Sequence, residues 1–152
     1  MPSSDDRLEE ALAYLREEFG VEELPGRLVQ RSGSFWLTTV REVPQGVRVH
    51  SLGVRLLRAQ ERGLKPTSFG LMLLGPRVRK RRVELSRGEL VALLLGRSLP
   101  REGIPSGYVA LCLEGEVLGC GHVKGGVLRC QIPRGRRQEL LTALQAESRE
   151  GV

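Results

Sequence analysis

At 152 residues the chain suits one domain, or one domain with a small appended subdomain. Its 40% apolar content supports a core, and only 4% aromatic residues make that core aliphatic. Three cysteines, an odd number, argue against a disulfide scaffold, and no apolar run approaches the roughly 18–20 residues of a membrane span. The acidic N-terminus is unlike a secretory or mitochondrial leader, so the reading is a cytoplasmic protein with no membrane partner.

Charge is unevenly spread. In residues 1–25 eight acids face Arg7 and Arg16, so the net +6 divides into −6 for that segment and +12 for the remainder. A basic remainder of this strength points to a polyanion such as RNA. Arginine supplies 21 of the 24 basic residues, which suits bidentate phosphate contacts. A GC-rich coding bias produces the same excess. Asparagine is absent, a thermophile-like composition.

Residues 5–19 read as a helix capped by Ser4 or Asp5, ending at Gly20, with Leu8, Leu12, Leu15 and Phe19 on one face. Residues 21–26 turn into a strand over 27–30, and 31–34 return the chain into 35–39 to make a hairpin. On that hairpin Trp36 or Phe35 stacks on a base or is buried against the helix. A turn at Pro44-Gln45-Gly46 precedes β-like segments over 47–50 and 53–60. After Glu61-Arg62-Gly63, a helix over 69–74 starts near Pro66-Thr67-Ser68 and stops at Gly75-Pro76. Another strand covers 82–85. Ser86 with Glu89 forms a capping box for a helix ending at Gly96, burying Leu90, Leu93 and Leu94. Residues 98–106 form a loop.

The stretch from Gly107 to Arg137 carries most information. It reads as a strand over 108–113, an acidic turn at Glu114-Gly115-Glu116, and a short strand reaching a Gly119-Cys120-Gly121 bend. A turn at Lys124-Gly125-Gly126, a strand over 127–132 and an arginine-dense exit follow, leading to a terminal helix over 138–146. Such glycine-punctuated strands describe a small, strongly bent sheet.

The candidate RNA-binding residues form two groups. Arg77, Arg79, Lys80, Arg81 and Arg82 put five cations into six residues after a Gly-Pro break, on a loop entering a strand. Phosphates would neutralise them; a solvated basic loop is the alternative. Arg129, Arg134, Arg136 and Arg137 splay from a turn held by Pro133 and Gly135, or form a basic entry to the last helix. Lys124 joins them from the Gly125-Gly126 turn. The two groups are expected to be rims of one groove. Gly119, Gly121, Gly125 and Gly126 permit close approach of a nucleic-acid backbone or serve only the sheet's corners. They match no phosphate-binding loop, since Gly-Lys-Ser/Thr is absent.

No catalytic residue, metal site or cofactor is expected. Cys120-x-His122 lacks paired zinc-ligand spacings, Cys112 and Cys130 alternate within apolar strands as core thiols, and His50 stands alone.

The order of these parts resembles the PUA-like RNA-binding domain at the C-terminus of RsmF-type rRNA cytosine-5 methyltransferases of the Nop/Sun group. The resemblance rests on Leu85-Ser86 through Leu93, Leu99-Pro100, Gly107-Tyr108-Val109, Glu114-Gly115, Leu118-Gly119-Cys120-Gly121, Gly125-Gly126 and Pro133-Arg134-Gly135-Arg136. Phe35-Trp36-Leu37-Thr38 is similar to the linker just before that domain. The chain departs from the family at Cys120, where an aromatic is common, and near His122, where a lysine is found. It has no Gly-rich cofactor loop and no Pro-Cys pair, the dipeptide whose cysteine that enzyme class uses.

The resemblance implies an α+β fold: a PUA-like, mainly antiparallel bent β-barrel with an N-terminal helix–hairpin subdomain. The expected division is 1–65 for the helix and hairpin and 66–152 for the PUA-like domain. The expected function is a stand-alone, non-enzymatic RNA-binding module in rRNA or tRNA modification or ribosome biogenesis, partnered by rRNA or tRNA and by an RNA-modifying enzyme or ribosomal particle. The alternatives are a small enzyme acting on nucleotide or RNA, and a protein-interaction subunit docking a basic partner through its acidic helix.

Overall fold

The computed structural model describes residues 4–38, 45–47 and 53–150. Helix α1 (Ser4–Phe19) leads into β1 (Arg27–Arg31), β2 (Ser34–Thr38), β3 (Val54–Gln60) and β4 (Gly63–Pro66). Then follow α2 (Ser68–Leu74), a single 3-10 turn (Gly75–Arg77), β5 (Arg82–Glu84), α3 (Arg87–Leu94) and β6 (Leu99–Pro100). Strands β7 (Gly107–Leu113), β8 (Glu116–Lys124) and β9 (Val127–Cys130) precede the last helix, α4 (Arg134–Glu150). The fold is α+β, as expected. One sheet runs β1-β2-β3-β4; the other curls into a half-barrel in the order β5-β7-β8-β9-β6. All pairings are antiparallel except β5 with β7.

Glycine-rich tight turns set the registers. Arg31 pairs Ser34 across Ser32-Gly33, Leu113 pairs Glu116 across Glu114-Gly115, and Lys124 pairs Val127 across Gly125-Gly126. Both central residues of each loop have positive φ, the backbone that matches strand twist in a two-residue hairpin. The capping box forms as expected: Ser86 Oγ accepts from Glu89 N while Glu89 Oε1 accepts from Ser86 N.

The half-barrel is apolar on both faces. Ala110, Cys112, Val117 and Cys120 join Leu15, Phe19, Phe35, Leu37, Leu56, Leu57, Leu71 and Leu74 in one core cluster. Val109, Leu111, Val123, Leu128 and Ile132 face Leu90 and Leu93 of α3 and Leu140 of α4 in the other. Strand alternation divides the two sets.

Several expectations change. Helix α1 begins at Ser4, one residue ahead of the expected start. Its buried stripe is Ala11, Leu15 and Phe19 with Leu8 beside them, while Leu12 is 40% exposed at the rim; a 3.6-residue period selects 8, 11, 15 and 19. The hairpin gains β3 and β4 to become four strands. Of the segment over 47–50, Val47 lies in no strand, and 48–50, with His50, fall outside the described residues, as do Thr39 and Pro44. Gly119 to Gly121 is not a bend but the middle of the nine-residue β8, with a register shift between Leu111 and Cys112 on its partner. A Cβ at Gly119 would stand 2.5 Å from Ile132 Cγ1, and one at Gly121 2.7 Å from Leu111 Cδ2. These glycines make room for core side chains. The exit from β9 is no turn either: Arg134 to Arg137 are the first turn of α4.

Candidate nucleic-acid interface

Antiparallel register places Tyr108 beside His122 and His122 beside Arg129, one row across β7, β8 and β9. The same face holds Ala110, Cys112 and Cys120 where α1, the first sheet and α2 cover it, and Ser68 Oγ there accepts from Cys120 N at 2.9 Å. Beyond that cover the row opens: Tyr108 and His122 are half-buried and Arg129 is exposed. The Tyr108 and His122 rings meet edge to face, centroids 4.8 Å apart. Lys65 Nζ of β4 stands 5.8 Å from the Tyr108 ring and donates to Gln131 Oε1 at 3.1 Å. Burial first, then Lys124, Lys65 and Arg81, hold the His122 proton affinity below the usual imidazole value. The charges reaching this imidazole are all positive.

Lys65 also lines a cleft of about 430 Å³ where the first sheet meets the half-barrel. Its other walls are Arg55 and Arg58 of β3, Phe69 at the start of α2, and Gln131 and Pro133 after β9. Thr67 fixes this corner, donating to the Arg55 carbonyl and accepting from Gly70 N. Arg55 lies 5.6 Å over the Trp36 ring and lines, with Trp36, Arg31, Ser32 and Ser34, a second hollow of about 170 Å³. Among the described residues no carboxylate pairs with Arg55, Arg58 or Lys65. Burial and the neighbouring Arg58 charge lower the Arg55 proton affinity.

The first sequence cluster is largely occupied with the fold. Arg79 N and Lys80 N donate to the Phe19 carbonyl, docking the loop on the end of α1. Arg79 meets Glu22 at 3.7 Å and Lys80 Nζ reaches the Glu17 carbonyl. Arg81, at φ +61°, donates from Nε to the Tyr108 carbonyl, while its Nη2 is buried without a partner among the described residues. Arg82 donates to the Val78 and Gly115 carbonyls and pairs with Glu84. Arg77 is exposed. In the second cluster Lys124, Arg129 and Arg134 are exposed. Arg136 pairs with Glu139, and Arg137 donates to the Ile132 and Cys130 carbonyls. Contacts thus link Arg81 through Tyr108 and His122 to Arg129.

Sequence reading missed Arg55, Arg58, Lys65 and Tyr108 as site residues. Arg55 and Arg58 are scattered along a strand and Lys65 is isolated, so no charge run marked them. Tyr108 counted as a strand residue and as part of the family-like Gly107-Tyr108-Val109, not as a binding residue.

Cys112, Cys120 and Cys130 are free and buried. Burial pushes the Cys112 thiol up to about 11, Cys120 to about 12, and raises Cys130. No group of three His, Cys, Asp or Glu gathers among the described residues to hold a metal. No described helix is long and apolar enough to cross a membrane.

Residues 80–138 match the family model described as the methyltransferase RsmF PUA domain. The chain is also 29% identical over 136 residues to ribosomal RNA small subunit methyltransferase F of Shewanella loihica (strain ATCC BAA-1088 / PV-4). That similarity takes in 86% of this chain, which spans 28% of the relative's length.

Proposed function

We propose, from the match of residues 80–138 to the RsmF PUA-domain model, that this chain is an RNA-binding module serving the modification of rRNA or tRNA or ribosome biogenesis. In this reading its residues hold RNA for an RNA-modifying enzyme or ribosomal particle, and a catalytic unit outside these residues transfers the methyl group. The observation that carries it is the row Tyr108, His122 and Arg129, flanked by Lys65 and Lys124: aromatic edges and cations on one exposed sheet face. Single-stranded RNA is held by that combination, cations on its phosphates and rings against its bases.

Among the residues named from sequence, Arg77, Lys124, Arg129 and Arg134 are exposed without a protein partner among the described residues. Of these, Lys124 and Arg129 lie on the β8–β9 row and supply its phosphate contacts. Arg81, Arg82 and Arg137 act mainly by holding the surface in shape. The test is fluorescence anisotropy of a labelled single-stranded RNA with Lys124→Gln/Arg129→Gln. That pair should weaken binding of all sequences alike, since phosphate contacts position but do not read sequence. Arg7→Gln/Arg16→Gln removes the same charge from the acidic helix and should leave binding unchanged. Equal losses from the two pairs would mean attraction by total charge alone, contrary to this reading.

A further inference from the structure

We propose that the cleft between the two sheets seats a backbone segment of single-stranded RNA, with Arg55, Arg58 and Lys65 as its phosphate-binding cations. The proposal rests on the RNA-binding reading above, and it extends the binding surface outside residues 80–138 to a part of the chain to which no role is assigned.

Charge argues for it first. Arg79, Arg82, Arg87, Arg101 and Arg136 each pair with a carboxylate, whereas Arg55 and Arg58, close enough to repel, have none among the described residues. Two like charges on the wall of a concavity raise its positive potential, and an anion with forked oxygens relieves it. Shape argues next. About 430 Å³ falls within the roughly 300–1,000 Å³ that holds a nucleotide-sized ligand. A paired duplex is too wide for such a cleft, whereas a single strand with splayed bases is not. Phe69 and Pro133 offer apolar surface for sugar and base between the cations. Lastly, Lys65 belongs to both surfaces: it lines the cleft, bonds Gln131 and lies over the Tyr108 ring. A strand crossing the Tyr108–His122–Arg129 row therefore continues into the cleft past Lys65.

The experiment uses the full chain, with anisotropy of a fluorescein-labelled single-stranded RNA of about 12 nucleotides. Arg55→Gln/Arg58→Gln keeps the Arg55 carbonyl that Thr67 bonds, and its thermal melt verifies folding. This pair should weaken binding about 10-fold or more at low salt and flatten the salt slope by about 1.4, two contacts at roughly 0.7 each. Arg7→Gln/Arg16→Gln should stay within about twofold of wild type. If wild type fails to bind RNA, the proposed function falls and this inference with it. If Lys124→Gln/Arg129→Gln loses affinity while Arg55→Gln/Arg58→Gln does not, the function stands and this inference falls. Displacement of the RNA by uridine monophosphate at about 1 mM from wild type, but not from the cleft variant, would make the cleft a mononucleotide site and overturn the strand assignment. Cross-linking of wild type to 4-thiouridine RNA needs no variant: adducts within 55–69 support the proposal, and adducts confined to 106–129 overturn it.

Discussion

Replacing Gly119 by alanine puts a methyl group into space already filled. The added Cβ would stand 2.5 Å from Ile132 Cγ1, 2.8 Å from its Cδ1 and 3.1 Å from Ser68 Oγ, where carbon contacts prefer about 3.5–4.0 Å. Ile132 is 1% exposed within the α3–α4 core, and Ser68 Oγ is held by Cys120 N, so neither neighbour swings away easily. Overpacking of this kind costs about 1–3 kcal/mol. Restricting the unfolded chain returns about 0.4–1 kcal/mol. At 2.5 Å the overpacking cost belongs to the upper part of its range, about 2–3 kcal/mol, so the net loss is about 1–2.6 kcal/mol, or roughly 2–10 °C in Tm for a chain of this size. The clash names its partner, so a double-mutant cycle can locate it. Ile132→Ala alone should cost about 2–5 kcal/mol through the cavity it leaves. Gly119→Ala/Ile132→Ala should cost about 1–2 kcal/mol less than the sum, because the new methyl enters that cavity. Urea and thermal denaturation of the four proteins measure this. A Gly119→Ala protein as stable as wild type, or costs that simply add, would refute the packing reason for a glycine in mid-strand.

Ser86→Ala should lower stability by about 1 kcal/mol by breaking the α3 capping box; an unchanged urea midpoint would contradict it. Arg81 sits at φ +61°, so Arg81→Gly should be less destabilising than Arg81→Ala by up to about 1 kcal/mol, although both lose the bond to the Tyr108 carbonyl. An RNA phosphate near His122 would raise its lowered proton affinity, so binding should take up a proton and strengthen as pH falls into the range where the bound imidazole protonates. His122→Gln should flatten that dependence in an anisotropy titration against pH. The free protein behaves oppositely: unfolded His122 holds its proton more readily, so native stability should fall as pH drops below about 6.5. The three buried thiols should react with a disulfide reagent only on unfolding; rapid labelling of the native protein would contradict their burial.

Local chemistry made much of the fold legible. Ser86 with Glu89, the Glu114-Gly115 and Gly125-Gly126 turns, and the apolar stretch at 108–113 each specify structure within a few residues, and all appear as expected. Strands β4 and β6 were hidden because Pro66 and Pro100 sit in them and each is short; both are edge strands, where proline is tolerated. The Gly119–Gly121 segment misled because a glycine that relieves a side-chain clash looks in sequence like one that turns the chain. The arginines misled for a related reason. Density along the sequence singled out residues 77–82, yet Arg81 and Arg82 are bound to the Tyr108 and Gly115 carbonyls, which the half-barrel brings near. Arg55, Arg58 and Lys65, far from any charge run, meet at one cleft only through the pairing of β3 with β4 and the docking of α2.

The measurement that tests the central claim most directly is the salt dependence of wild-type affinity for single-stranded RNA. With Arg55, Arg58, Lys65, Lys124 and Arg129 each on a phosphate, the slope of log affinity against log salt should be about −3.5, at roughly 0.7 per contact. Affinity should then fall about 100-fold between roughly 50 and 200 mM salt. A slope shallower than about −1, or no measurable binding at low salt, would contradict the assignment of this surface to RNA.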